Sequence, residues 1–140
     1  MVAADPAAPA AAPKPAAAPN LITEPEALAL LEQFTTAYRN GDLRALMRLF
    51  TRDATNNRGG RAEIAYDYQE LFDDSDTREL RLKPNGWLQG ASGATVLASF
   101  EVRITRGRFW PAARSQGDIR FDLAREDGEI RIRNIWHEER

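Results

Sequence analysis

The stretch QGDIRFDLAREDGEIRIRNIW, residues 116–136, decides the fold of this sequence. Apolar residues alternate with polar ones on both sides of Asp127-Gly128, and a period of two places them on one face of a strand. An Asp-Gly pair between two such runs predicts a β-hairpin, because glycine adopts positive φ without a steric penalty. One face of the sheet is then apolar and needs a cover.

The preceding residues supply that cover. Apolar residues at helical spacing predict a first helix from about Thr23 to Asn40, a short second helix capped by Asp42, and a third from Arg61 to Phe72. We expect the apolar faces to contain Leu28, Leu31, Phe34, Thr35 and Tyr38 in the first helix, Leu43, Leu46, Met47 and Phe50 in the second, and Ile64, Tyr68, Leu71 and Phe72 in the third. A short strand or extended turn is predicted over residues 53–58.

Strands follow from Thr77 onward, and Pro84 marks an edge strand or a bulge because proline cannot donate to a ladder. The sequence therefore predicts an α+β fold with three N-terminal helices on a curved antiparallel sheet that forms a cone with a pocket. The inward strand positions are apolar and carry no titratable group: Val96, Ala98, Phe100, Val102, Ile104, Ile119, Phe121, Leu123, Ile130 and Ile132.

Composition limits the alternatives. Five of the eight prolines lie among alanines in residues 1–20, which predicts a disordered linker before a domain at residues 21–140. The net charge of −2 does not favour nucleic acid, and no apolar run is long enough for membrane insertion. The chain has no cysteine and no His cluster, so we expect neither a metal nor another cofactor.

The run FTTAYRNGDLRALMRLFTRDAT, residues 34–55, resembles the first two helices of the nuclear transport factor 2-like (SnoaL-like, cystatin-like) superfamily. SFEV at residues 99–102 and the closing RIRNIWH at residues 131–137 resemble it too. The resemblance implies the α+β cone and a homodimer paired through the sheets. It does not identify a function, since this fold carries both enzymes and accessory domains. It favours a bacterial origin and leaves cytoplasm and periplasm open.

The ketosteroid isomerase branch of that superfamily implies three catalytic positions, a Tyr donor and two Asp carboxyls. Aligned by eye, these positions hold Phe34, Arg58 and Ile119. None of the three can supply an oxyanion donor or a general base. The replacement of these three residues therefore favours a non-catalytic role.

The leading hypothesis is a non-catalytic accessory domain that binds a partner protein or a small apolar ligand in the cone. The alternatives are a small-molecule enzyme, with His137 as base if it reaches the pocket, or an oligomerisation module with a filled core. The candidate ligand-binding residues are Tyr38, Asn56, Asn57, Tyr68, Trp87, Phe100, Trp110, Asn134 and Trp136. For each of them a structural role is the alternative: the asparagines in turns or backbone pairing, the aromatic residues in the core or on the surface.

Overall fold

The computed structural model describes residues 21–140. Its elements are α1 (Glu24–Asn40), α2 (Leu43–Met47), β1 (Phe50–Thr55), α3 (Arg61–Asp73), β2 (Thr77–Gln89), β3 (Gly93–Thr105), β4 (Ala113–Glu126) and β5 (Glu129–Glu139). The three helices pack on a curved, unclosed sheet, as predicted. The linker predicted at residues 1–20 lies outside the described part of the chain. Within residues 21–140, no helix is long and apolar enough to cross a membrane.

Both ends of α1 follow from local chemistry. The Thr23 hydroxyl accepts a hydrogen bond from the Glu26 amide, and the Glu26 carboxylate accepts one from the Thr23 amide, which closes a capping box. Gly41 ends the helix at φ 64°. The predicted apolar face is wrong at Leu28, which is 38% exposed, because the buried face centres on Phe34 and Leu28 lies well to its side.

Strand β1 starts earlier than predicted. It covers Phe50–Thr55 instead of residues 53–58, and Phe50 belongs to this strand and not to α2. Parallel pairing with β5 explains the shift, since the Ile132 amide donates to the Leu49 carbonyl at 2.7 Å. Asn56 then turns the chain, because its side-chain oxygen accepts hydrogen bonds from the amides of Arg58 and Gly59, both at 2.8 Å.

The five strands lie in the order β1-β5-β4-β3-β2, antiparallel except for the β1–β5 pair. The predicted hairpin joins β4 to β5, with Asp127 at φ 55° and Gly128 at φ 83°. Two successive residues at positive φ fit the two-residue turn that matches strand twist. Pro84 lies on the edge strand β2, where the register shifts before Gly86, as the sequence predicts.

Strand β5 changes phase in its middle. Leu123 pairs with Ile132, but Asp122 pairs with Asn134, so one extra residue lies on β5 between these pairs. Such a bulge moves every later side chain to the opposite face. Ile135 and His137 therefore point inward, whereas Asn134 and Trp136, two of the predicted ligand-binding residues of the cone, point outward.

The core lies between the helices and the inner face of the sheet. Phe34 is its centre, in contact with the rings of Phe50, Tyr68 and Phe121 at centroid distances of 5.4–6.3 Å. These contacts join α1, β1, α3 and β4. Toward the C-terminal end of α3 the core is incomplete and leaves a cavity.

Candidate functional site

The cone contains a cavity of about 250 Å³ between α1, α3 and the inner sheet face. Ligand pockets usually measure about 300–1,000 Å³, so this one favours a small molecule. Its lining residues are Phe34, Tyr38, Asn56, Asp67, Tyr68, Leu71, Leu80, Phe100, Val102, Ile104, Ser115, Ile119, Ile135, His137 and Glu139.

The wall is mainly apolar, and two tyrosines interrupt it. Tyr38 comes from α1 and Tyr68 from α3, and their rings meet edge to face with centroids 6.2 Å apart. Both side chains line the cavity, and neither hydroxyl has a hydrogen-bond partner among residues 21–140. Both hydroxyls are therefore available to a bound molecule.

Burial keeps both tyrosines protonated. It disfavours the phenolate and raises the pKa of Tyr38 to about 12, although the nearby Arg78 charge acts in the opposite direction. Burial also raises the pKa of Tyr68, and the adjacent Tyr38 and Asp67 add to that effect. Near neutral pH the cavity thus offers two uncharged O–H groups, each able to donate and accept a hydrogen bond.

Titratable side chains stand at the mouth of the cavity, which corrects the expectation that the inward strand positions carry none. The bulge in β5 brings His137 and Glu139 to the inner face, and α3 adds Asp67. The His137 ring stands edge-on to Phe100, with centroids 5.9 Å apart and planes at 82°. Asp67 pairs with Arg58 at 3.3 Å and faces the Asn56 amide nitrogen at 3.5 Å.

The cavity lining includes four of the nine predicted ligand-binding residues: Tyr38, Asn56, Tyr68 and Phe100. Asn57 lies just outside it and clamps the backbone of His137, donating to its carbonyl at 2.9 Å and accepting from its amide at 3.1 Å. Trp87 packs on the hydrophobic core away from the cavity. A direct role for the four lining residues in binding stays a prediction.

The other three predicted residues are on the surface. Asn134 and Trp136 lie on the outer face of the sheet, where Asn134 accepts from the Thr55 hydroxyl at 2.8 Å. Trp110 lies in the loop between β3 and β4 and is 72% exposed. None of these three can contact a molecule inside the cone in this arrangement.

The three positions that correspond to the isomerase catalytic residues do not all lie in the cavity. Phe34 and Ile119 do line the cavity, so their apolar side chains stand where that branch implies polar ones. Arg58 lies outside the lining with 68% of its side chain exposed, and its guanidinium faces Asp67. Across residues 21–140, no group of three or more His, Asp or Glu residues is placed to hold a metal ion.

Asp67, Ser115 and Glu139 line the cavity but are not among the residues predicted from the sequence, which also left open whether His137 reaches the pocket. One signal was present in β5. Ile132 and Ile135 are three positions apart, and two inward side chains of a regular strand cannot have an odd spacing. Continuing the alternation from Ile135 gives His137 and Glu139. No comparable signal marks Asp67, since a helical carboxylate next to an inward tyrosine is usually solvated.

Comparison with known proteins identifies the fold. No family model and no curated relative match the sequence. A nuclear transport factor 2-like superfamily protein from Salmonella enterica superposes with a TM-score of 0.72 at 16% identity, over 82% of this chain and 89% of that one.

Two further structures agree with this result. A ketosteroid isomerase-like protein from Erwinia carotovora atroseptica gives a TM-score of 0.69 at 18% identity, over 84% of this chain and 98% of that one. A proposed dehydratase of the nuclear transport factor 2-like family from Streptomyces avermitilis gives 0.75 at 11% identity, over 83% and 95%. Such identities carry no information on activity. The chain therefore has the fold of the nuclear transport factor 2-like superfamily.

Proposed function

We propose that the cone binds a small, mainly apolar molecule that accepts hydrogen bonds from Tyr38 and Tyr68. The observation that carries this proposal is the pair of hydroxyls in an apolar-walled cavity, neither of them hydrogen-bonded to another group of residues 21–140. A polar group inside such a cavity costs free energy unless it is hydrogen-bonded, so a ligand with a carbonyl or ether oxygen at this depth stabilises the pair. The apolar wall then accommodates the rest of the ligand.

Native mass spectrometry of the purified full chain tests the proposal first, since it reports any molecule that is retained from the host cell. Titration with that compound, or with a panel of small aromatic ketones if none is retained, gives the dissociation constant. Tyr38→Phe and Tyr68→Phe each remove one hydroxyl and should weaken binding about tenfold, the value of one net hydrogen bond.

Tyr66→Phe is the matched control. This tyrosine lies on α3 as well, but it is 59% exposed and its hydroxyl donates to Glu70 outside the cavity. Unchanged binding in Tyr66→Phe with weakened binding in the other two supports the proposal. Equal affinity in all three variants contradicts it.

A second candidate function is proton transfer on the bound molecule. The observation in its favour is that His137 lines the same cavity as the two tyrosines, which is the condition that the enzyme hypothesis required. An imidazole side chain can act as a general base for a substrate within hydrogen-bond reach. The test is His137→Gln: turnover that disappears while ligand binding is retained supports catalysis, and binding without turnover in the unsubstituted chain supports the non-catalytic role.

The wider role of the domain is part of the proposal. The alanine- and proline-rich residues 1–20 suit a spacer, which supports an accessory domain tethered to a larger protein. The resemblance to superfamily members that pair through their sheets supports a homodimer. A purely oligomerising module predicts a filled core, and the cavity in the cone argues against that alternative.

A further inference from the structure

Two adjacent aromatic side chains in the loop between β3 and β4 are exposed to solvent. Phe109 is 90% and Trp110 is 72% exposed, the highest fractions of any large apolar side chain in the described chain. Single exposed apolar residues are ordinary, but neighbouring aromatic residues are typical of the central contacts of protein interfaces. The pair lies away from the residues that line the cone.

The base of this loop is held in place. The Gly107 amide donates to the Asp76 carboxylate at 2.6 Å, and the Arg106 guanidinium contacts the Asp74 carboxylate at 3.1 Å. The Asp76 amide donates to the Thr105 carbonyl at 2.7 Å. A surface that is already ordered loses less conformational entropy on binding, so these contacts favour recognition by the loop.

The surface next to Trp110 is acidic. A groove beside the indole contains Asp73, Asp74, Asp76 and Arg106, and a second groove along α3 shares Asp73 and Asp74 with it. Together the two grooves hold five carboxylates and two arginines. Within residues 21–140, three of the carboxylates have no cationic partner: Glu70, Asp73 and Asp76.

We propose that Phe109, Trp110 and the three carboxylates of Glu70, Asp73 and Asp76 form a binding surface. Its partner is a protein segment that carries lysine or arginine beside an apolar side chain. A cation placed over the indole is attracted by the ring and by the carboxylates together. The apolar neighbour covers Phe109 and removes its ring from water. The carboxylates disfavour the competing occupants, because lipid phosphates and nucleic acids would face Asp73 and Glu70.

The test selects peptides from a random heptapeptide phage library against the immobilised full chain. The enriched peptides are then synthesised with a fluorophore, and their dissociation constants are measured by anisotropy. Trp110→Ser and Asp73→Asn change the proposed surface. The control is Leu88→Ser, which removes another exposed apolar side chain, at the end of β2 that is far from this loop. Thermal unfolding by circular dichroism checks that each variant is folded.

The expected result is enrichment of peptides that pair a lysine or arginine with an apolar residue. Trp110→Ser and Asp73→Asn should each weaken their binding roughly tenfold or more, as removal of a central interface residue does, and Leu88→Ser should leave it unchanged. Added salt should weaken peptide binding to the unsubstituted chain, because it screens the attraction between the basic peptide and the carboxylates.

Three outcomes overturn the proposal: no enrichment of basic peptides, equal affinity in the Trp110→Ser variant, or binding of the full chain to phosphatidylcholine–phosphatidylglycerol vesicles that depends on Phe109 and Trp110. The last outcome assigns the loop to a membrane surface. The site shares no tyrosine with the cavity, so Tyr38→Phe and Tyr68→Phe should leave peptide binding intact. Failure here is thus distinguishable from failure of the proposed ligand site.

Discussion

Arg78 is buried at the junction of α1, α3 and β2, with only 9% of the residue exposed. Its guanidinium donates to the Tyr38 carbonyl at 3.1 Å and to the Ser75 carbonyl and hydroxyl at 3.1 and 2.8 Å. It also lies 5.2 Å from the centre of the Phe72 ring. The cation thus satisfies backbone carbonyls at the ends of two helices, where a positive charge is favourable.

We predict that Arg78→Lys lowers the free energy of unfolding by about 2 kcal/mol, because an ammonium cannot reproduce the planar fork and leaves a buried carbonyl without its donor. Arg78→Ala should cost more. Urea unfolding followed by circular dichroism measures both. The control is Arg39→Ala, an exposed arginine near the C-terminal end of α1, which should change stability by less than about 0.5 kcal/mol. Equal effects of Arg78→Lys and Arg39→Ala would contradict this role.

Tyr38 gives the stability of the domain a dependence on alkaline pH. Its pKa is raised from 10.0 to about 12 in the fold, so the unfolded chain loses this proton first as the pH rises. The stabilisation is complete below pH 10 and is lost as the pH approaches 12, by about 2–3 kcal/mol in total. Urea midpoints measured across this range should fall, and they should fall less in Tyr38→Phe than in the unsubstituted chain. A decline of the same size in both chains would assign the effect to other groups.

At the scale of elements, the C-terminal end of strand β5 is held in place by the side chain of Asn57. The two hydrogen bonds of its side chain with the His137 backbone imitate a strand neighbour beyond the end of β1. Asn57→Ala should therefore loosen the C-terminal end of β5, and the His137 amide should exchange with solvent about tenfold faster, as expected for the loss of one net hydrogen bond. Amide exchange by nuclear magnetic resonance measures this rate.

Asn85→Ala is the control for that prediction. Asn85 is an exposed asparagine on β2 whose side chain donates to the Ser99 hydroxyl at 3.2 Å. Its removal should leave exchange at His137 unchanged. If exchange at His137 is also unchanged in Asn57→Ala, the clamp does not hold the strand, and His137 keeps its position through Phe100 and its neighbours on β4.

The elements themselves could be predicted because their signals are local. Thr23 and Glu26 mark one helix end, Gly41 marks the other, and Asp127-Gly128 marks the hairpin. The phase of β5 could not be predicted by assuming continuous alternation, because a bulge inserts one residue without any change in composition. That single residue decides that His137, and not Asn134, faces the cavity.

The burial of Arg78 and the position of Asp67 at the cavity mouth could not be predicted for a different reason. Each depends on contacts between residues far apart in sequence, such as Arg78 with Tyr38 and Asp67 with Arg58. A charged residue read in its local context is assigned to solvent by default. The sequence could therefore predict that tyrosines on a helical stripe line the cavity, but it could not predict where tertiary contacts place a polar group. A role of these residues in binding stays a prediction.

At the scale of the whole molecule, structures at 11–18% identity share this cone over more than four fifths of the chain. Such divergence is possible because the fold needs apolar inward positions and correct turns more than particular side chains. The mouth of the cavity and the loop at Phe109 and Trp110 are under no such requirement. These two places are where we expect the specific function of this chain to be encoded.

The outer face of the sheet supports the predicted homodimer. Leu97, Arg120 and Trp136 are register neighbours across β3, β4 and β5, with Leu97 38% and Trp136 41% exposed. We predict a dimer mass by light scattering at micromolar concentration, and a monomer mass for the double variant Leu97→Glu, Trp136→Glu, because buried like charges oppose association.

Tyr66→Ser is the control for the dimer, since it removes an exposed aromatic side chain from the helical side of the domain and should leave the mass unchanged. A monomer mass for the unsubstituted chain contradicts the prediction outright. A dimer that persists in the double variant places the interface elsewhere, and the loop at Phe109 and Trp110 is then the first surface to test. If Trp110→Ser abolishes that dimer, the acidic surface beside Trp110 binds the arginines of a second copy of this chain.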